Sequence, residues 1–253
     1  MVLDAENAHK EKTPEFEYAS LTAQQCQQLT RFSQLIQDGN RQCNLTRIVD
    51  REEIYLRHFS DALESLPTLD RIGVKGRLLD VGSGAGIPGL VLAIARPKWR
   101  FVSLEATGKK ARFQSHAISS LSLTHATVNT ERAETLARDQ AFREQFDVVT
   151  ARALASLPTL LELCVPFLKV GGFLVAYKGI AWQQELDQAQ TALTTLSSCV
   201  DAVEPYSLAV LAEKAHLVSP QEAGSFSLVI IRKNDTTPSQ YPRIYSRIRH
   251  QPL

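Results

Sequence analysis

The chain has 253 residues, enough for one large domain or two small ones and for a substantial buried core. Its hydrophobic and charged fractions, 44% and 22%, are those of a soluble globular protein, and a net charge of +1 favours neither acidic nor basic partners. No apolar run approaches the roughly 18 residues of a membrane span, so no membrane association is expected. The N-terminus, with Asp4, Glu6 and Glu11, does not read as a signal peptide. Cys26, Cys43, Cys164 and Cys199 have neither metal nor disulfide spacing, which fits a reducing cytoplasm; no metal is expected, and each reads as a small buried hydrophobe.

Residues 1–17 are polar, mixed in charge and without periodicity, and read as a loose arm. Residues 18–75 read as an N-terminal helical cap rather than an independent domain. Its first helix is expected over 21–38, started by Ser20 or Thr22, ended by Gly39, with Leu29, Phe32 and Ile36 on one face. Residues 40–46 form a polar connection. Asp50 and Glu53 make a capping-box pattern that opens a second helix, with Tyr55, Phe59, Leu63 and Leu66 on its buried stripe and Pro67 at its end.

Over 76–235 the rhythm alternates strand and helix. Strands are expected at 78–81, 100–104, 126–129, 146–150 and 171–177, with helices at 90–95, 108–121, 131–138, 157–168 and 182–196. Two further strands, about 200–210 and 225–231, read as a hairpin-like excursion across a charged loop at 213–222. The fold class is therefore α/β, Rossmann-like: an open, mostly parallel sheet with helices on both faces and an antiparallel edge strand. Residues 236–253 read as a basic C-terminal tail.

The segment Asp80-Val-Gly82-Ser-Gly84-Ala-Gly86-Ile-Pro-Gly89 joins the first strand to its helix. Strand, glycine turn and helix together hold a nucleotide-like cofactor by bare backbone at a helix N-terminus, and Pro88 suits the first helical position. Gly84 to Gly89 formally satisfies GxGxxG, the dinucleotide fingerprint. With its acid two residues before the first glycine, Asp80-x-Gly82-x-Gly84-x-Gly86 resembles motif I of class I S-adenosylmethionine-dependent methyltransferases instead. A pyrophosphate needs only N–H donors, whereas S-adenosyl-L-methionine carries an ammonium that a carboxylate at the strand end can serve. Strand two ends at Glu105, placed to accept hydrogen bonds from both ribose hydroxyls, with the backbone of Ala106 and Thr107 beside the ribose and adenine. After strand three, a small residue and an acid near Ala133 and Glu134 can let the adenine lie flat and accept from its amino group; Ile87 offers apolar surface nearby.

Strand four ends in Asp147-Val-Val-Thr150-Ala151-Arg152-Ala153. The (Asn/Asp/Ser)-Pro-Pro-(aromatic) motif of exocyclic amine methylation is missing here, and no Pro-Cys or Thr-Cys nucleophile motif occurs. An acceptor with a free lone pair, such as guanine N7, needs no base, so positioning carries catalysis. Arg152 near G O6 or a phosphate suits that task; a structural ion pair is the alternative. His58, on a helix that also buries Tyr55 and Phe59, reads as a hydrogen-bonded structural histidine before a catalytic one.

The glycine segment, Ala151-Arg152-Ala153 with Leu-Ala-Ser-Leu, and Phe173-Leu-Val-Ala-Tyr-Lys178-Gly179 resemble the ribosomal small-subunit methyltransferase G family, also called glucose-inhibited division protein B. Asn44-Leu-Thr46, Arg57-His58-Phe-Ser60-Asp61-Ala-Leu and Tyr241-Pro-Arg243 resemble that family's flanking motifs, in the same order. The resemblance implies methyl transfer from S-adenosyl-L-methionine to N7 of one guanine, position 527 in the customary numbering, of 16S rRNA. It also implies cofactor contacts from Gly82, Ile87, Glu105, Ala106, Thr107, Ala133, Glu134 and Arg152. Two departures stand out: Glu105 replaces a common Asp, and the terminal segment lacks the usual Gly and Pro after Arg243. Lys109, Lys110 and Arg112, the acid-free set Arg243, Arg247 and Arg249, and Lys178 are candidates for RNA phosphate contacts. A monomer in the cytoplasm, acting on the small subunit or an assembly intermediate, is the expectation. The alternatives are an NAD-dependent oxidoreductase and a non-catalytic ribosome assembly factor with a residual cofactor site.

Overall fold

A computed structural model describes residues 18, 20–73, 75–215, 217 and 224–253. The expected arm at 1–17, and residues 216 and 218–222 of the expected charged loop, lie outside the described residues. Seven strands form one sheet in the order β3-β2-β1-β4-β5-β7-β6. They are β1 (Arg77–Val81), β2 (Arg100–Leu104), β3 (Ala126–Asn129), β4 (Phe146–Arg152), β5 (Leu168–Lys178), β6 (Ser198–Ser207) and β7 (Ser225–Lys233). The first five are parallel, and β7 runs antiparallel to both β5 and β6.

The antiparallel strand therefore lies one place in from the edge, not at it as the sequence suggested. Burial explains the order: Val229, Ile230 and Ile231 of β7 are fully buried, whereas Cys199, Val200 and Asp201 of β6 are exposed. A run that is apolar on both faces belongs inside a sheet covered on both sides. The same constraint shapes the centre. Leu78, Val148 and Val175 face one core, and Leu79, Val149 and Leu174 face the other.

The helices are α1 (Ala23–Cys43), α2 (Arg51–Ile54), a π-helical stretch Tyr55–Ser60, α3 (Asp61–Leu63), α4 (Leu66–Ile72), α5 (Gly89–Ala95) and α6 (Gly108–Ser120). They continue with α7 (Ala133–Leu136), α8 (Leu157–Cys164) and a 3-10 turn Val165–Phe167, α9 (Trp182–Gln188), α10 (Gln190–Thr195), α11 (Leu208–Lys214) and α12 (Tyr245–His250). Thr22 caps α1 in a capping box with Gln25, but the helix runs through Gly39 and stops at Asn44 in the left-handed region. Gly39 is small for a packing reason: a Cβ there would stand 2.7 Å from the Phe113 ring. Pro67 does not end a helix but lies in the first turn of α4, where its missing N–H is harmless. The hairpin excursion contains α11, so Val210 is helical, and the helix expected over 182–196 breaks at Ala189. Cys199 is exposed and Cys43 half-buried, unlike the two buried cysteines.

The cap shares the first core with the sheet. Gln25 Nε2 donates to the carbonyls of Ile94 and Ala95 at the end of α5, and Gln28 Nε2 to Leu121 O after α6. Phe32 stacks on Phe59 at 5.6 Å. The C-terminal segment is also docked: Ile248 is fully buried, and Arg243 meets the buried Glu162 of α8 through Nε and Nη2 at 2.8 and 2.6 Å. Removing one partner of such a pair leaves a buried charge uncompensated. Arg243→Ala should therefore lower unfolding stability by about 3 kcal/mol in urea titration. A midpoint within error of the unsubstituted protein would show that Glu162 is solvated without it.

Candidate active site

The turn after β1 is built on three glycines at positive φ, Gly82 (71°), Gly84 (58°) and Gly86 (88°), where other residues are strained. Gly82 and Gly86 are also crowded: a Cβ would meet Leu154 at 2.6 Å and Leu90 at 2.7 Å. A Cβ at Gly84 would meet nothing nearer than Gly82 O at 3.9 Å, so a side chain there would occupy the cleft the turn lines. Gly82 N donates to Leu104 O, and the buried Gln114 of α6 donates from Nε2 to Ser83 Oγ and Gly84 O, each at 2.8 Å.

Asp80 differs from its sequence reading. Its carboxylate is 1% exposed and accepts from Gly89 N at 2.9 Å and Thr150 Oγ1 at 2.8 Å. It organises the turn from beneath rather than presenting itself to a ligand's ammonium. Burial pushes its pKa up from 3.8 to about 6, against the pull of those two donors and Arg152, while Glu105 adds to the rise.

The carboxyl ends of β3, β2, β1 and β4 stand side by side. Glu105, buried at the end of β2, accepts from Gly84 N at 2.9 Å and Thr107 N at 2.7 Å. Ala106 and Thr107 are exposed beside it, and Ala133 and Glu134 open α7 after β3, half-buried. The cleft itself, about 220 Å³, is lined by Thr46, His58, Gly82, Gly84, Ile87 and Arg152 among others. Thus Gly82, Ile87 and Arg152 share one cleft, Glu105 touches its glycine wall, and Ala133 and Glu134 sit farther along the strand ends.

Arg152, the last residue of β4, is held by the cap. Its Nε meets Asp61 Oδ2 at 2.7 Å, its Nη2 donates to Arg57 O at 2.6 Å, and both terminal nitrogens lie 3.3 Å from His58 Nδ1. Arg57 and His58 belong to the π-helical stretch, a helix distortion common at functional sites, and Asp61 follows it. Tyr206 of β6 donates to Asp61 Oδ1 at 2.6 Å, and His58 Nε2 lies 2.9 Å from Thr46 Oγ1. Burial, with Arg152 beside it, lowers the His58 pKa from 6.5 to about 4, so the imidazole is neutral at neutral pH. Burial raises the Asp61 pKa, while Arg152 and the Tyr206 hydroxyl pull it down. Ala153 then takes φ +50°, bending the chain. Arg152 and Ala153 line both the cleft and a second cavity of about 270 Å³ reaching Tyr177, Tyr206 and Phe226.

The cationic candidates divide. Lys178 is 7% exposed and donates to Glu185 Oε2 at 2.6 Å and Ala155 O at 2.8 Å, holding the loop after β4. Arg243 is committed to Glu162. Each is thus held by an acid, as a cation drawn out of water requires, and Lys178 also lines the second cavity. Lys110 lines the cleft, and Lys109 and Arg112 line a groove between α1 and α6. The sequence reading missed Gln114, Thr150, Asp61 and Tyr206. Asp61 and Thr150 stood in the Arg57-to-Leu63 motif and at the end of strand four, without a role assigned; Gln114 and Tyr206 are brought in from distant elements.

An unfolded Asp80 loses its proton near about pH 4 while the folded one keeps it to about pH 6. Between those values the folded state holds more protons, so stability falls as pH rises. Asp80→Asn keeps both contacts by turning its oxygen to Gly89 N–H and its amide to Thr150 Oγ1. Urea midpoints from pH 4 to 6 should decline more steeply for the unsubstituted protein than for this variant; parallel curves would show that Asp80 ionises normally.

A family model described as rRNA small subunit methyltransferase G (GidB) matches residues 25–218. The Ribosomal RNA small subunit methyltransferase G of Geobacillus kaustophilus (strain HTA426) is 36% identical over 233 residues, 92% of this chain and 93% of that protein. Its counterpart in Roseiflexus sp. (strain RS-1) is 41% identical over 233 residues, 92% and 94% of the two chains. A proposed O-methyltransferase from Klebsiella pneumoniae superposes with a TM-score of 0.52 at 13% identity, over 81% of this chain and 90% of that one. A proposed S-adenosyl-L-methionine-dependent methyltransferase from Methanococcus maripaludis gives 0.51 at 14%, over 81% and 93%. These two share the fold. On the strength of the matched residues and the near full-length identities, the chain belongs to the rRNA small subunit methyltransferase G family.

Proposed function

We propose that this chain transfers the methyl group of S-adenosyl-L-methionine to N7 of a single guanine, position 527, in 16S rRNA of the small ribosomal subunit. The observation that carries the reading is Arg152, a fixed guanidinium shared by the glycine-lined cleft and the cavity beside it. The residues of the cleft suit the cofactor: Gly84 leaves room that any side chain would fill, and Glu105 presents a carboxylate beside it. In this reading Glu105 accepts the ribose hydroxyls, Ala106 and Thr107 flank the adenine, and Ala133 and Glu134 meet its face and amino group. Gly82 and Ile87 supply backbone and apolar surface. When bound, the cofactor supplies an electrophilic methyl on a sulfonium.

The acceptor N7 brings its own lone pair, so no side chain has to remove a proton. That matches a site whose nearest titratable groups are engaged: His58 stays neutral, and Asp61 is held by Arg152 and Tyr206. Catalysis then rests on orientation. Membership of a methyltransferase family leaves the NAD-dependent oxidoreductase reading without support. For RNA backbone contacts we favour Lys109, Lys110 and Arg112. The groove of about 630 Å³ that Lys109 and Arg112 line also contains Arg31 and His116; its acid, Asp38, lies 3.4 Å from Arg41. Lys178 and Arg243 act through the fold. A monomer working on the small subunit or an assembly intermediate in the cytoplasm completes the proposal.

Labelled S-adenosyl-L-methionine incubated with small subunits lacking the modification should label one base, mapped to guanine N7. Label on another atom or base, or none on subunits and naked RNA alike, would sink the reading. Gly84→Val should weaken S-adenosylhomocysteine binding at least about tenfold in calorimetry, because a β-branched residue at positive φ both strains the turn and fills the cleft. Unchanged affinity would move the cofactor site elsewhere, and full biological activity without binding would favour the assembly-factor alternative.

A further inference from the structure

We propose that the cavity beyond Arg152 receives the target base extruded from the RNA, and that Arg152 and Asp61 together read its O6 and N1–H. This rests on the guanine N7 reading above and says how guanine is selected. Inside an A-form helix N7 faces a deep, narrow groove that side chains cannot enter, so the base must leave the stack to be methylated. The cavity offers Tyr177, Tyr206 and Phe226 as walls. Of its charged lining residues, Arg57 is paired with Glu53 and Lys178 with Glu185, which leaves Arg152 with Asp61 as the pair that meets a base.

That pair sets a donor beside an acceptor, with Arg152 Nε 2.7 Å from Asp61 Oδ2. Guanine presents the complement, the O6 acceptor next to the N1–H donor. Adenine and cytosine present the reverse order, and uracil, which repeats guanine's, has no imidazole nitrogen to methylate. Both side chains are fixed from behind. Tyr206 donates to Asp61 Oδ1 at 2.6 Å and Arg57 O accepts from Arg152 Nη2 at 2.6 Å. Among the described residues Arg152 Nη1 has only the 3.3 Å approach to His58 Nδ1, which leaves a donor for O6.

The order along the wall matches the order along the base. Asp61 lines only the second cavity, whereas Arg152 lines that cavity and the cofactor cleft. A guanine with N1–H at Asp61 and O6 at Arg152 directs N7, the next position along its edge, towards the cleft. The pair is also neutral overall, so a base that becomes cationic on methylation is not repelled by an uncompensated guanidinium.

Small subunits rebuilt with guanine, inosine or 1-methylguanine at the target position, and assayed with labelled S-adenosyl-L-methionine, test this. Inosine keeps O6 and N1–H and should be methylated within about tenfold of guanine. The N7 of 1-methylguanine is untouched, yet its kcat/KM should fall at least about 100-fold, as for a site built around a lost polar contact. Equal rates for guanine and 1-methylguanine, or a loss with inosine as deep as with 1-methylguanine, overturn the proposal. No transfer to guanine itself would instead refute the N7 reading. Asp61→Asn should cut guanine methylation and bring the guanine to 1-methylguanine ratio towards one, with S-adenosylhomocysteine affinity within about threefold; an unchanged ratio overturns the role given to Asp61.

Discussion

A single buried carboxylate ties the catalytic end of the sheet together. Asp80 lies at the centre of the parallel strands, where an ionised group loses nearly all hydration. It is tolerated because Gly89 N–H at the head of α5 and the Thr150 hydroxyl on β4 both donate to it. Those bonds join β1, the turn and β4, so the turn cannot move without breaking a buried polar contact. From the other side Gln114 holds Ser83 and Gly84, and Leu104 O accepts from Gly82 N. Backbone N–H and C=O groups recognise a ligand well only when they are already in place. Here the fold places them.

The second joint is Arg152. A cation at a strand end could wander with its long side chain, but this one is gripped by a carboxylate, a carbonyl and an imidazole from the cap. Arg57 and His58 in the π-helical stretch Tyr55–Ser60, and Asp61 just after it, converge on it from one segment. Its apolar residues Tyr55 and Phe59 anchor it in the core, leaving Arg57 and His58 towards the strand end. The cap is therefore part of the site as well as of the core. Beside the left-handed bend at Ala153, one guanidinium lines two cavities.

Charge alone did not distinguish recognition from structure. Lys178, Arg243 and Lys233 are each paired with an acid in largely buried surroundings; Arg243 and Lys233 fasten elements distant in sequence, and Lys178 ties the end of β5 to α9. Lys109, Arg112 and Arg31 have no ion pair among the described residues and share a groove. In a chain of net charge +1, this sorting by partner separates cations that hold the fold from those free to meet phosphate.

Much of the frame was legible beforehand because its signals are local. The run Leu78-Leu-Asp80-Val, the glycine turn and the helix after it followed from apolar length and turn chemistry, and β2 and β3 were found at their observed bounds. Where the reading failed, a distant neighbour had decided. Gly39 looked like a helix stop until the Phe113 ring was packed against it; Asp80 looked like a ligand for an ammonium until Thr150 and Gly89 closed on it. Likewise β7 moved inside β6 because burial on both faces is settled by the assembled sheet. The sequence by itself determined the order of strands and helices, the glycine turn and the family to which the chain belongs, since these reside in short-range pattern. Tertiary structure alone decided which polar groups are buried and whom they meet: Arg152 with Asp61, Tyr206 behind Asp61, Glu162 under Arg243. Pairings across dozens of residues leave no local mark, because a buried charge takes its role from the partner that folding brings to it.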